Sequence, residues 1–225
     1  MKRPVLAISL AIFIFVFGLT AGILLRPVLF SSASNSSNNT PFLTGVPDVR
    51  QSTTFSCGAA ALQAVLSYWG IDKRERALMD ELKTNEEAGT SPENIVRVAQ
   101  EMGLDAYPRE NLDLKDLEEA VKNKIPVICA IQAWVDSTAG LFSWDKDWED
   151  GHYVIILGLD KRNVYVEDPS LLGTKGFIPR EEFVARWHDY TGEPPFDQTD
   201  RPYIHLGIFI IGKNKAEQPL FTRVE

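Results

Sequence analysis

The sequence predicts an α+β fold, with helices packed on an antiparallel sheet. Three observations carry that expectation. Helix-length amphipathic or apolar stretches fill the first half of the folded portion, from residue 57 to residue 122. A continuous apolar run follows at Ile125-Pro126-Val127-Ile128-Cys129-Ala130-Ile131. Strand-like segments separated by a short polar turn come after it, at 153–159 and 164–167. Helices grouped before strands indicate segregated layers, whereas strict alternation would indicate a parallel sheet.

Taken in order, residues 57–69 read as a helix ended by Gly70. Nearly all its faces are apolar or small, as for a buried central helix. Residues 73–82 form a second, more polar helix. Ser91-Pro92-Glu93 is a helix start: a capping serine, proline in the first turn, then an acid. That helix should run to Met102 and stop at Gly103. Residues 104–107 suggest a short strand and 114–122 another amphipathic helix. The run at 125–131 is expected to be a strand buried on both faces. Residues 133–151 are long for a loop and carry Trp134, Trp144 and Trp148 among acids; loops of that length are often functional. Residues 153–159, a turn at 160–163, and 164–167 read as a hairpin. A helix over 179–188 and a strand over 204–211 complete the body.

Residues 5–25 are uncharged and almost wholly apolar. As a helix they would measure about 31 Å, matching a bilayer core of roughly 30 Å. Lys2 and Arg3 before this run, against Arg26 after it, bias the N-terminus toward the cytoplasm. A signal peptide is the rival, with a small-residue site near Ser31-Ser32-Ala33, but its apolar core is usually shorter. The favoured organisation is a transmembrane anchor at 1–30, a Ser/Asn-rich linker at 31–45, a folded domain at 46–212 and a tail at 213–225. Either reading puts the domain outside the cytoplasm, at the cell membrane if anchored and secreted if cleaved. The expected partners are the lipid bilayer, through residues 5–25, and a peptide or protein substrate.

The 225-residue chain has a net charge of −8, and without Lys2, Arg3 and Arg26 the remainder carries −11. Phosphate backbones would repel such a surface, which argues against nucleic acid as a partner. Cationic or neutral partners suit it better. With two cysteines, Cys57 and Cys129, this is no disulfide scaffold, and no Cys/His spacing suggests zinc.

The chemistry centres on Gln51-Ser52-Thr53-Thr54-Phe55-Ser56-Cys57-Gly58-Ala59-Ala60. A polar, turn-prone lead-in ends at a cysteine that opens an apolar helix. A thiol at a helix N-terminus faces the positive end of the backbone dipole, which favours the nucleophilic thiolate. A buried structural cysteine is the plain alternative. Cysteine hydrolysis also needs an imidazole, a group to orient it, and donors for an oxyanion. Of three histidines, His152 stands at the mouth of a strong strand beside the long loop. His188, at a helix end, and His205, opening the last strand, have ordinary structural explanations. Asp168 ends the strand that pairs with that of His152, although Asp168-Pro169-Ser170 would also form a turn. Gln51, six residues before Cys57, is placed to point an amide at the same oxygen as the Cys57 N–H, or is a solvated loop residue.

Together, Gln51…Ser56-Cys57-Gly58-Ala59-Ala60, Gly151-His152-Tyr153-Val154-Ile155-Ile156 and Val164-Tyr165-Val166-Glu167-Asp168-Pro169 resemble the C39 and C39-like cysteine peptidases. The segment from Gly176 to Phe183, with Trp187-His188, is similar to stand-alone members, and the likeness extends over about residues 46–212. It implies a papain-like fold and a cysteine peptidase that needs no cofactor or metal. Cys57 matches the nucleophile, His152 the general base and acid, Asp168 the residue orienting the imidazole, and Gln51 the oxyanion-hole amide. Ser56 departs from the acid found there in many transporter-linked members, so double-glycine cleavage does not follow. Trp134, Trp144 and Trp148 are candidates for a substrate groove. The competing readings are a catalytically silent peptide- or envelope-binding module, and acyl transfer in place of hydrolysis. Cys129 is expected to be a packed free thiol in a central strand, with a disulfide to Cys57 as the alternative.

Overall fold

A computed structural model of the chain describes residues 41–134, 144–192, 195–197 and 199–213. The expected span at 5–25, most of the linker and nearly all of the tail lie outside the described residues. Among the described residues, no helix is long and apolar enough to cross a membrane.

Three helices come first: α1 (Cys57–Tyr68), α2 (Glu75–Leu82) and α3 (Pro92–Glu101). Helix α3 starts as its sequence dictates, with the Ser91 side chain accepting from Asn94 N and Pro92 in the first turn. Strand β1 (Asp105–Arg109) and helix α4 (Leu114–Lys122) follow, the latter held by a reciprocal capping box between Asp113 and Asp116. Then come β2 (Val127–Gln132), β3 (Gly151–Leu159), β4 (Asn163–Glu167), β5 (Gly176–Pro179), α5 (Arg180–Arg186), β6 (His188–Thr191), β7 (Arg201–Ile204) and β8 (Gly207–Ile211).

Six strands form one antiparallel sheet in the order β1-β8-β2-β3-β4-β5, and β6 and β7 form a separate ribbon. Side chains alternate across a strand, so the sheet feeds two cores. Ile128, Ala130, Tyr153, Ile155, Ile208 and Ile210 join a core with α1, α2 and α3. Val127, Cys129, Ile131, Val154, Ile156 and Phe209 join a second core with Leu117, Phe183 and Trp187 of the α4–α5 side. Burial on both faces explains why β2 reads as an unbroken apolar run.

Several expectations need correction. The last strand, read as 204–211, is two strands, because His205 takes a left-handed backbone (φ 49°) between β7 and β8. The helix expected over 179–188 ends at Arg186, and His188 starts the ribbon. Strand β3 begins at Gly151, so His152 is inside it. Within the stretch read as linker, Phe42 bridges Gly158 and Leu43 N donates to Leu157 O, so packing on the sheet starts before residue 45. Cys57 and Cys129 are free thiols in different cores on opposite faces of the sheet, which rules out the disulfide alternative.

Candidate active site

Helix α1 places Cys57 at its first turn, beside a cleft of about 450 Å³. The lead-in loop is shaped by its own side chains. Ser56 is buried, and its hydroxyl accepts from Thr53 N (3.1 Å) and donates to Thr53 O (3.4 Å), so it staples the loop rather than capping the helix. Gly58 is required by packing: a Cβ there would lie 2.7 Å from Thr90 Cβ. The sequence Cys-Gly therefore reflects how tightly the helix start presses against the segment before α3.

The hairpin of β3 and β4 brings the second and third groups together. The pairing Ile155↔Glu167 and the bulge at Ile156/Gly158 set its register. His152 then meets Asp168 just beyond β4, with Nε2 2.7 Å from Oδ1. The same Oδ1 accepts from Ser170 N (2.8 Å) and Ser170 Oγ (2.7 Å), so the turn expected of Asp-Pro-Ser is present and it aims the carboxylate. Burial pushes the Asp168 carboxyl up, but the His152 hydrogen bond and the Ser170 donors outweigh it and hold it below the usual range.

His152 is only 1% exposed. Burial alone would depress its pKa, yet hydrogen bonding to Asp168 and to Cys57, with the charges of both, raises it from 6.5 to about 9. Its Nδ1 is buried and makes no hydrogen bond of good geometry; besides Asp168, the group acting on the ring is Cys57. Such contacts are often loose before substrate binds. Trp134 lies edge-on to the imidazole, with ring centroids 4.6 Å apart.

Gln51 sits beside this hairpin. Its N–H donates to Pro169 O (2.9 Å), and its Nε2 donates to Thr53 O (2.7 Å). An amide nitrogen carries two hydrogens, so one stays free. The buried Oε1 has no partner.

Three polar residues that sequence reasoning missed support the arrangement. Glu167 is fully buried, pairs with Lys175 and accepts from Val49 N (2.9 Å), fastening the Gln51 segment to β4. Burial pushes its carboxyl up despite these partners. Gln132, also fully buried, donates to His188 O (3.1 Å) and accepts from Asp150 N (2.9 Å), linking β2, the ribbon and the approach to His152. Each ends an apolar strand, a signal that a buried partner awaits. The third, Asp189 of β6, lies against Gly151: a Cβ on that glycine would come within 2.9 Å of both carboxylate oxygens. Burial pushes its carboxyl up to about 7. Nothing in the local sequence marks it.

The other candidates separate. Trp134 and Trp148 line the cleft with Cys57. Trp144 is not among the lining residues; it stacks on the Arg186 guanidinium, 3.6 Å from ring centroid to Cζ. His188 is buried with Nε2 on Asp147 O, and His205 stacks on Trp187 and bonds Leu112 O, so both are structural. Among the described residues, no three His, Cys, Asp or Glu side chains form a metal-holding group.

The profile of the peptidase C39 family matches residues 46–192. The chain belongs to the peptidase C39 family. An uncharacterised protein of Methanothermobacter thermautotrophicus is 32% identical over 123 residues, covering 55% of this chain and 71% of that one. The transport/processing ATP-binding protein ComA of Streptococcus pneumoniae is 26% identical over 136 residues, which is 60% of this chain but 17% of ComA. Among solved structures, a putative C39-like peptidase from Bacillus anthracis superposes with a TM-score of 0.58 at 19% identity, covering 78% of this chain and 99% of that one. The peptidase domain of Streptococcus ComA superposes at 0.54 with 21% identity, covering 75% and 100%. These neighbours share the mixed helix and antiparallel-sheet fold of this C39 member.

Proposed function

We propose that this C39 family member is a cysteine peptidase that uses Cys57, His152 and Asp168 as a triad. The observation that carries the reading is a single buried imidazole whose charge is sustained by Asp168 and by the cysteine at the start of α1. The Cys57 thiolate attacks the peptide carbonyl carbon, forming the S–C bond. The Cys57 N–H and the free Gln51 Nε2 hydrogen stabilise the oxyanion. The C–N bond breaks as the His152 imidazolium protonates the departing amine. Neutral His152 then takes a proton from water, whose oxygen displaces the sulfur from the acyl group. Asp168 keeps the ring orientation throughout. Trp134 and Trp148 serve as walls for the peptide.

The apolar run at residues 5–25 supports a single-pass anchor, with the domain held outside the cytoplasm. Carbonate extraction together with protease accessibility in intact cells tests that placement.

The test of the chemistry is iodoacetamide labelling of Cys57 combined with hydrolysis of peptide pools. Wild type should show both, Cys57→Ala neither, and His152→Ala a loss of hydrolysis with slower labelling. Labelling kinetics identical in wild type and His152→Ala at every pH would remove the basis for the pairing.

A further inference from the structure

Trp134 stands against ordinary preference in both backbone and side chain. The pairing of β2 with β3 continues one residue past β2, where Ala133 N donates to Asp150 O (2.8 Å). The next residue, Trp134, turns the chain in a left-handed backbone with φ 55°. That region suits glycine, and a bulky side chain there is an outlier. The Trp134 side chain is also 55% exposed, a large apolar surface left in water. Strained residues persist only where the surroundings fix them, and they gather at functional sites.

What the indole touches accounts for its place. It packs on the His152 imidazole, with ring centroids 4.6 Å apart and planes at 61°. The imidazole is buried, so the exposed ring stands on the solvent side of it. Asp168 Oδ1 holds Nε2 at 2.7 Å, and Cys57 acts on the ring as a second hydrogen-bonding and charged group. Both interactions are electrostatic, and both are stronger where water is excluded. The backbone turn serves this contact. An extended chain would set residue 134 about 10 Å along the strand from Ile131, the register partner of His152. Trp148 provides the contrast: it lines the same cleft, but its ring is 4.3 Å from His188 and 4.6 Å from Phe196 between centroids.

We propose that Trp134 is a positioning residue for His152: its indole covers the imidazole, keeps water from the hydrogen bond to Asp168, and holds the ring turned toward Cys57. This role goes beyond a place in the cleft wall, and it rests on the peptidase reading only for its effect on turnover. The left-handed turn after β2 is the local cost of bringing the indole back over the imidazole.

The test is the pH profile of Cys57 labelling by iodoacetamide in the full-length chain, with no peptide present. A change of access alters the rate equally at every pH, whereas a change at His152 displaces the profile. Trp134→Ala should move the midpoint by about 0.5 in pH or more, toward that of His152→Ala, as water weakens the pairing. Trp134→Gly should move it as far, yet melt at a higher temperature than Trp134→Ala, because glycine suits the left-handed backbone. Trp134→Phe keeps a ring on the imidazole and should return most of the way to the wild-type profile. Trp148→Ala should leave the midpoint in place. A Trp134→Ala profile that overlays wild type, or that Trp148→Ala reproduces, would overturn the proposal. Peptide hydrolysis separates the two readings. A displaced profile in a chain that cleaves no peptide defeats the peptidase and leaves the positioning role standing. Cleavage by wild type, with Trp134→Ala raising KM at unchanged kcat and an unmoved profile, does the reverse.

Discussion

Two regions of the molecule hold a buried cysteine each, and they give the residue opposite fates. Cys129 lies in the middle of β2, paired in register with Val154 and Gly207, and fully buried in the core on the α4–α5 side. Burial alone acts on its thiol and pushes its pKa well above the ordinary value, so it behaves as a small hydrophobe. Cys57 is nearly as buried, at 8% exposed, but it stands at a helix start, on a cleft, beside a charged imidazole. Burial therefore does not distinguish a packed thiol from the proposed nucleophile here. What differs is the company: apolar strands on all sides in one case, a polar hairpin end and an open wall in the other.

The largest test of that contrast is removal of the imidazole. His152→Ala should lower kcat/KM for peptide hydrolysis by about 10³-fold or more while leaving Cys129 labelling, seen only on unfolding, unchanged. Gln51→Ala should cost about 10²-fold in kcat with little change in KM, since an oxyanion donor acts on the transition state. Steady-state kinetics on a cleaved peptide separates the two parameters. Glu167→Ala strands the Val49 N–H and frees the Gln51 segment; urea denaturation should register a loss of about 1–3 kcal/mol, accompanied by reduced activity. Cys129→Ser puts a hydroxyl among apolar strands and should cost about 1–3 kcal/mol in the same assay, with native-state labelling of Cys57 unaltered.

The smallest effect concerns pH. His152 has a folded-state pKa of about 9, above its ordinary 6.5. Its charged form therefore stabilises the fold fully below about pH 6.5, and that contribution is lost as pH rises through about 9. Asp189 adds to the same trend by a different route. Its carboxyl is raised to about 7, so ionising it costs stability from about pH 4 upward. Thermal melts of wild type, His152→Ala and Asp189→Asn across this range should show a flatter stability profile in each variant than in wild type.

Much of the fold was legible because it depends on local pattern. The apolar run of β2 and the start of α3 at Ser91-Pro92 are written in neighbouring residues and emerge where expected. The hairpin that aligns His152 with Asp168 was legible too, since two strands joined by a short turn have one close partner each. The β6–β7 ribbon was not, because its strands are short and mixed in polarity, and they are stabilised by residues distant in sequence. Trp144 shows the same difficulty from another side. Inside a long acidic loop it looks equivalent to Trp134 and Trp148, and only the position of Arg186 on α5 draws it away. Glu167 and Gln132 left a trace as polar residues closing apolar strands, whereas Asp189 left none.

Sequence alone determined which groups are candidates for the chemistry, since a cysteine opening an apolar helix and a histidine near a strand mouth are marked out by adjacent residues. Tertiary structure decided what surrounds them. The carboxylate against Gly151, the buried glutamate that pins the Gln51 segment and the partition of the two cysteines between opposite faces all arise from contacts between chain segments far apart. Those contacts depend on sheet order and register, which hydrophobic periodicity constrains but does not specify.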